Sequence, residues 1–176
     1  MAGETTSAVF SVWRALTRIL QEAQWPASPV NPGGVAVYFG DPDSMPWNQA
    51  AKAERVVIAS GIGPPADSWG PIGRYAREET FIVFAYVITM VPGRSEEQTR
   101  DRLEELTAIL ESTVRETYAT KQADEGPVEL APYGSTWVTE VSALLPIIAT
   151  TSDGAIGKAE IQVRCKFRIG IPPATL

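Results

Sequence analysis

The sequence predicts a single α+β domain over residues 1–176: a mixed or antiparallel sheet of about five strands, two amphipathic helices packed on one face, and a long C-terminal β-hairpin. Three observations predict it. Apolar residues recur at helical spacing in two segments. Other stretches alternate apolar with polar residues, or are apolar on both sides, as strands are. At 176 residues, with no internal repeat, low-complexity tract or domain linker, the chain can bury roughly 70% of its unfolded surface around one core.

The first helix is expected from Thr6 to about Gln24, where Val9, Val12, Trp13, Leu16, Ile19 and Leu20 form one stripe and Arg14, Arg18, Gln21 and Glu22 the opposite side. Trp25-Pro26 ends it, and the Pro- and Gly-rich segment to Gly34 makes a turn. Val35 to Phe39 is a first strand, closed by Gly40-Asp41-Pro42. The β-branched run Arg55 to Ala59 is a second. Residues 61–77, broken by Gly61, Gly63, Pro64, Pro65, Gly70, Pro71 and Gly73, are expected to form a long interface or functional loop.

Glu79 to Val91 is the strongest strand, with Phe81, Val83, Ala85 and Val87 on one face and Ile82, Phe84, Tyr86, Ile88 and Met90 on the other. After Pro92-Gly93, Ser95 and Gln98 stand at capping-box spacing, opening a helix to about Tyr118 whose buried stripe is Leu103, Leu106, Leu110 and Val114. A polar loop follows. Trp137 to Ile148 is a strand interrupted by Pro146, and past Asp153-Gly154 the alternation of Ile161, Val163, Cys165, Phe167 and Ile169 completes the hairpin. The Pro-rich arm 171–176 has no periodicity.

Composition narrows the chemistry. Hydrophobic residues make up 44% and charged residues 20%, as in folded globular proteins. No apolar run approaches the ~20 residues of a membrane span, and the N-terminus lacks the layout of a secretory signal, so a soluble protein made in the cytoplasm is expected. The sequence contains no histidine, the commonest neutral-pH base and metal ligand. The single Cys165 can form neither an internal disulfide nor a cysteine-rich zinc site, and on an apolar strand face it is expected to be an inert core thiol. A net charge of −6 is the wrong sign for gripping a phosphate backbone.

The remaining motifs fail on spacing. The pairs Glu78-Glu79, Glu96-Glu97 and Glu104-Glu105 point apart and cannot flank a sugar bond, so they are expected to be solvated charge. Asp41-Pro42-Asp43-Ser44 lacks the glycine and closing glutamate of a calcium loop. Gly61-Ile62-Gly63 is followed by prolines where a phosphate-binding helix would start. No catalytic residue, cofactor or metal ligand is nominated, and an enzyme is not expected.

What is left is surface. Trp47, Trp69 and Tyr75 lie in long loops, where interface and core are equally good explanations. Arg164, Lys166 and Arg168 form a basic stripe, for which a solvated outward face is the favoured reading and a contact for an acidic partner surface or a phosphate backbone the alternative. Two helices can cover only one face of the sheet, so the second apolar face of the Glu79–Val91 strand needs another cover, from the chain's own loops or from a sister subunit in a ring; the ring is the favoured source. The candidate interface residues are therefore Trp47, Trp69, Arg74, Tyr75, Arg77, Phe84, Tyr86, Arg164, Lys166 and Arg168.

The order of elements, the strand opening Arg-Glu-Glu-Thr-Phe-Ile-Val (77–83), the acidic helix after Pro-Gly-Arg-Ser-Glu-Glu (92–97) and the closing hairpin resemble the tail terminator proteins of long-tailed, siphovirus-like bacteriophages, above all those infecting actinobacteria. The resemblance implies a virion structural protein: a homo-oligomer, expected to be a hexamer, that caps the major tail tube protein, stops tube polymerisation and presents a surface to a head-tail connector or head completion protein. Such a protein is assembled in the host cytoplasm and resides in the tail or neck of the virion. Genomic DNA would pass through its lumen without specific binding, which an acidic ring favours: six copies at −6 each would carry −36. Alternatives are a neighbouring neck protein and a small ligand-binding or hydrolase domain with residues 61–77 as a lid.

Overall fold

The computed structural model of the chain describes residues 9–27, 34–40, 54–62, 66–68, 76–124, 134–143, 146–152 and 154–170. In chain order these form α1 (Val9–Glu22), β1 (Ala36–Gly40), β2 (Glu54–Ile62), β3 (Ala66–Ser68), β4 (Ala76–Met90), α2 (Glu96–Asp124), β5 (Gly134–Ala143), β6 (Ile147–Thr151) and β7 (Gly154–Gly170). The main path of the sheet has five strands in the order β1-β2-β4-β7-β5, with β3 added to β4 and β6 to β7. It is mixed: β1 runs parallel to β2, and the other pairings are antiparallel. The fold is the expected α+β arrangement, with both helices on one face.

The β4–β7 ladder is the spine of the sheet. It pairs Ala76 with Gly170 through to Met90 with Ile156 with no shift of register. Because strand side chains alternate, this register assigns every residue of both strands to a face. Phe81, Val83, Ala85 and Val87 of β4 and Ala159, Ile161, Val163 and Cys165 of β7 are buried beneath the helices. Onto them α1 lays Val12, Trp13, Leu16 and Leu20, and α2 lays Leu103, Leu106, Leu110 and Val114, all buried in one continuous cluster. The Leu103-Leu106-Leu110-Val114 stripe is as its spacing predicts; of the α1 stripe, Ile19 is partly buried against the cluster and the side chain of Val9 lies outside the described residues.

The helix ends are also built as the sequence spells them. Gln98 N–H donates to Ser95 Oγ at 3.3 Å and Ser95 N–H donates to Gln98 Oε1 at 3.1 Å, the reciprocal bonds of a capping box. Trp25 closes the other helix by donating its indole N–H to the Leu20 carbonyl at 2.7 Å.

Several boundaries differ from the sequence expectation. Helix α2 continues past Tyr118 to Asp124. The 61–77 stretch is not loop throughout: β2 reaches Ile62, Ala66–Ser68 pairs with Thr80–Glu78, and β4 already begins at Ala76. The exposed backbone of β4 offers a ladder there, and pairing to it outweighs the local glycines and prolines. The expected strand over 137–148 is two strands, because Pro146, which has no N–H to donate, stands between them.

Close approach of α2 to the sheet depends on small residues. Ala155, Gly157 and Ala159 alternate along the inward face of β7, and a Cβ added at Gly157 would lie 3.0 Å from Thr99 Cγ2 and 3.2 Å from both Leu103 Cδ2 and Thr89 Cγ2. We expect Gly157→Val to push α2 off the sheet at a cost of about 1–3 kcal/mol, read as a lower urea midpoint with an unchanged slope.

Candidate functional site

The second face of the sheet is the candidate surface, and its closure is uneven. Val57 of β2 and Ile88 of β4 are buried within the single chain, whereas Ile82, Phe84 and Tyr86 are half-buried. Of this face of β4, for which the sequence expects a cover from the chain's own loops or from a sister subunit, Ile88 is already closed in one chain, while the Ile82-Phe84-Tyr86 strip and Met90 beyond it stay half-buried. Arg55, opposite Ile88, is buried there too, and burial pushes its guanidinium below the ordinary arginine range while Tyr38 opposes the shift.

Beside that strip, β7 contributes a polar row fixed by the ladder: Lys158 opposite Ile88, Glu160 opposite Tyr86, Gln162 opposite Phe84 and Arg164 opposite Ile82. The Lys158 ammonium sits 4.7 Å from the centre of the Tyr86 ring, a cation–π contact worth ~0.5–1 kcal/mol at such a site. Gln162 Nε2 donates to Glu160 Oε1 at 3.2 Å, and Arg164 is exposed. The face is an apolar strip bordered by Lys158, Glu160, Gln162 and Arg164, a pattern suited to a protein partner.

Of the ten interface candidates, the structure brings together Phe84, Tyr86 and Arg164 on this face. Lys166 and Arg168 continue β7 opposite Thr80 and Glu78. Arg77 pairs with Ile169, out of step by one residue with Phe84 and Tyr86. Trp47, Trp69, Arg74 and Tyr75 lie outside the described residues, as does the arm 171–176.

A buried charge cluster on the helix side has no counterpart among the expected site residues. Glu54, 0% exposed at the start of β2, accepts from Arg102 Nε at 3.0 Å and Nη2 at 2.7 Å, and from Arg94 Nη1 at 3.1 Å. Arg102 also donates to the Pro26 carbonyl at 2.8 Å and to Glu105 Oε2 at 2.7 Å, so Glu105 is an ion-pair partner as well as surface charge. One guanidinium thus joins the segment after α1, the first residue of β2, and α2. The signal was present: Arg102 lies three residues after buried Thr99 and four before Leu106, on the flank of the buried stripe, and Glu54 shares the parity of inward Val56 and Ile58.

Burial drives the Glu54 carboxyl upward, but the hydrogen bonds and charges of Arg102 and then Arg94 outweigh it and hold the group below the usual carboxylate range. Among the described residues, no group of three or more His, Cys, Asp or Glu is placed to hold a metal ion, and no helix is long and apolar enough to cross a membrane. Cys165 is fully buried, and burial pushes its thiol up to about 12.

No protein-family model and no curated protein matches the chain. A solved structure carrying no descriptive name aligns with 80% of this chain and 82% of its own at 14% identity, with a TM-score of 0.35. That likeness is too loose to support a functional argument.

Two expectations follow from the buried groups. Glu54→Gln keeps the shape and removes the charge facing two arginines, so stability at neutral pH should fall by about 3 kcal/mol in urea titrations. Because folding lowers the carboxyl's pKa, the wild-type advantage is fully present above the ordinary carboxylate range and is lost as pH falls through the lower folded value; the gap between wild type and variant should close in acid. Cys165 should resist thiol reagents in the native state and label only at the rate of unfolding, which timed mass spectrometry would show.

Proposed function

We propose that this chain is a virion structural subunit, a tail terminator that assembles as a homo-hexameric ring on the end of a phage tail tube. In that role it stops addition of tube subunits and offers its far side to a head-tail connector or head completion protein. The observation that carries the proposal is the half-closed second face of the sheet. Ile82, Phe84 and Tyr86 form a contiguous apolar strip on the longest strand pair, bordered by a charged row and held in register by fifteen residue pairs.

Such a strip favours association without demanding it. Burying a large apolar side chain completely is worth ~1.5–3 kcal/mol, so each half-buried one retains on the order of 1 kcal/mol for a neighbour to collect. Three per subunit are too few to force a free dimer, given the entropic cost of association, but they become decisive when a template aligns several copies at once. A terminator needs that behaviour, because it should assemble where a tube ends. The net charge of −6 per chain suits a channel along which DNA slides without sticking.

The direct test adds purified chain to polymerising tail tube subunits, with negative-stain microscopy and native mass spectrometry as readouts. Rings seated on tube ends and shortened tubes are the expected result. Phe84→Asp should abolish capping, because the interface would bury an unpaired carboxylate. Binding to portal or connector rings but not to tubes would instead make the chain a neck protein, and a monomer that decorates neither would overturn the proposal.

A further inference from the structure

Phe39 is the most exposed aromatic side chain among the described residues, at 48%. It stands on β1, the strand that ends the sheet, in register with buried Ile58 and so on the helical side. Helix α1 reaches it through Trp13, whose ring centre lies 5.1 Å from that of Phe39 at a tilt of 51°. Two turns further along α1, Gln21 Nε2 donates to the Val37 carbonyl at 3.4 Å. Trp13 meeting Phe39 and Gln21 meeting Val37 set α1 antiparallel to β1. Between them runs a groove of about 370 Å³, lined by Trp13, Arg14, Thr17, Arg18, Gln21 and Phe39.

The groove is aromatic at one end and cationic along its rim. Arg14 and Arg18 are exposed there, about 6 Å apart along the helix axis, and neither has an acidic partner among the described residues. Thr17 between them is turned to its own helix, donating to the Trp13 carbonyl at 2.8 Å. The described lining holds no carboxylate; Glu22, one turn beyond Arg18, is exposed and outside it. On a chain of net charge −6 this is a local positive spot beside an apolar floor. Each guanidinium can fork onto a carboxylate with two parallel hydrogen bonds, and the half-open Phe39 ring can take an apolar side chain. Size selects the shape of the occupant. A helix, 10–12 Å across, would fill about 370 Å³ with roughly one turn, too little to bring two carboxylates a turn apart to the two arginines. In an extended segment alternate side chains share a face at roughly 6.6 Å, close to the arginine spacing.

We infer that the α1–β1 groove docks an extended acidic segment of a partner protein: an apolar residue against Trp13 and Phe39, then carboxylates two and four residues further on at Arg14 and Arg18. The groove lies on the helical side of the sheet, away from the Ile82-Phe84-Tyr86 strip, so this contact goes beyond the ring reading and does not depend on it. Its two parts do different work. The arginines select charge and speed the encounter, while the aromatic end fixes which way the segment lies.

The test is an NMR titration of the isotope-labelled full-length chain with the end-blocked peptide Phe-Ser-Asp-Ser-Asp. Amide shifts should concentrate at Arg14, Thr17, Arg18, Gln21 and Phe39, and binding should weaken as salt is added. The uncharged peptide Phe-Ser-Asn-Ser-Asn should bind at least tenfold more weakly to the wild-type chain, a comparison that no folding defect can confound. R14Q/R18Q should weaken the acidic peptide by a similar factor with an unchanged circular dichroism spectrum. Phe39→Ser should weaken binding too but keep its salt dependence, which separates the apolar anchor from the charges. No shifts at millimolar peptide, equal binding of the two peptides, or binding that R14Q/R18Q leaves unchanged would overturn the inference. So would three results that give the groove to another occupant: displacement of the peptide by a single-stranded oligonucleotide at lower concentration, the same shifts produced by raising protein concentration alone, or tighter peptide binding by D41N/D43N. These assign it to a nucleic acid, a second copy and the chain's own acidic residues respectively.

Discussion

The uninterrupted pairing of β4 with β7 is the constraint from which the rest of the molecule follows. Fifteen consecutive pairs without a bulge leave no freedom in which side chains point to the helices and which point away. A slip of one residue would carry Phe81, Val83 and Ile161 out of the core and put Phe84, Gln162 and Arg164 into it. The irregularities of the sheet are displaced to its flanks, between Ile58 and Ile62 of β2 and between Val138 and Glu140 of β5, where twist can be absorbed without disturbing the spine. The inward row Ala155-Gly157-Ala159 then decides how closely α2 lies, and that distance decides whether Arg102 can reach Glu54.

The Glu54 cluster has a different role from the apolar core beside it. Leucines on α2 stabilise any packing that hides them, so they do not distinguish one rotation of the helix from another. Two arginines converging on one buried carboxylate, one of them also held by the Pro26 carbonyl, are satisfied in a single arrangement. Such a cluster adds little net stability compared with an apolar replacement, since desolvation offsets much of the attraction. Its loss of any one member is nevertheless costly, and that asymmetry makes it a device for specificity in the placement of α2 against β2.

The fold was largely legible because it rests on periodicity. The stripes of α1 and α2, the Ser95–Gln98 cap and the alternation of β7 are local patterns, and the structure realises each. What escaped was decided by pairing at a distance. Ala66–Ser68 is a strand only because the edge of β4 is there to receive it, and Val57 and Ile88 are closed off on a face whose cover no local pattern announces. The candidate surface was legible in part: Phe84, Tyr86 and Arg164 share a face by parity alone, whereas the exposure of Phe39 and Ile147 follows from which strands flank the sheet, a property of strand order that spacing does not encode.

Strand order also explains why an apolar residue is tolerated in water at each end. Within the sheet every exposed backbone edge invites another strand, and proteins commonly blunt such edges with charge. Here Arg14 and Arg18 flank the β1 side, and Arg100, Glu104 and Glu111 line the groove on the β6–β7 side. Charge at both ends discourages indiscriminate edge pairing. With the edges guarded in this way, association on the proposed ring falls to the Ile82-Phe84-Tyr86 strip, an apolar surface inside the sheet where no backbone group is left unpaired for a stray strand to capture.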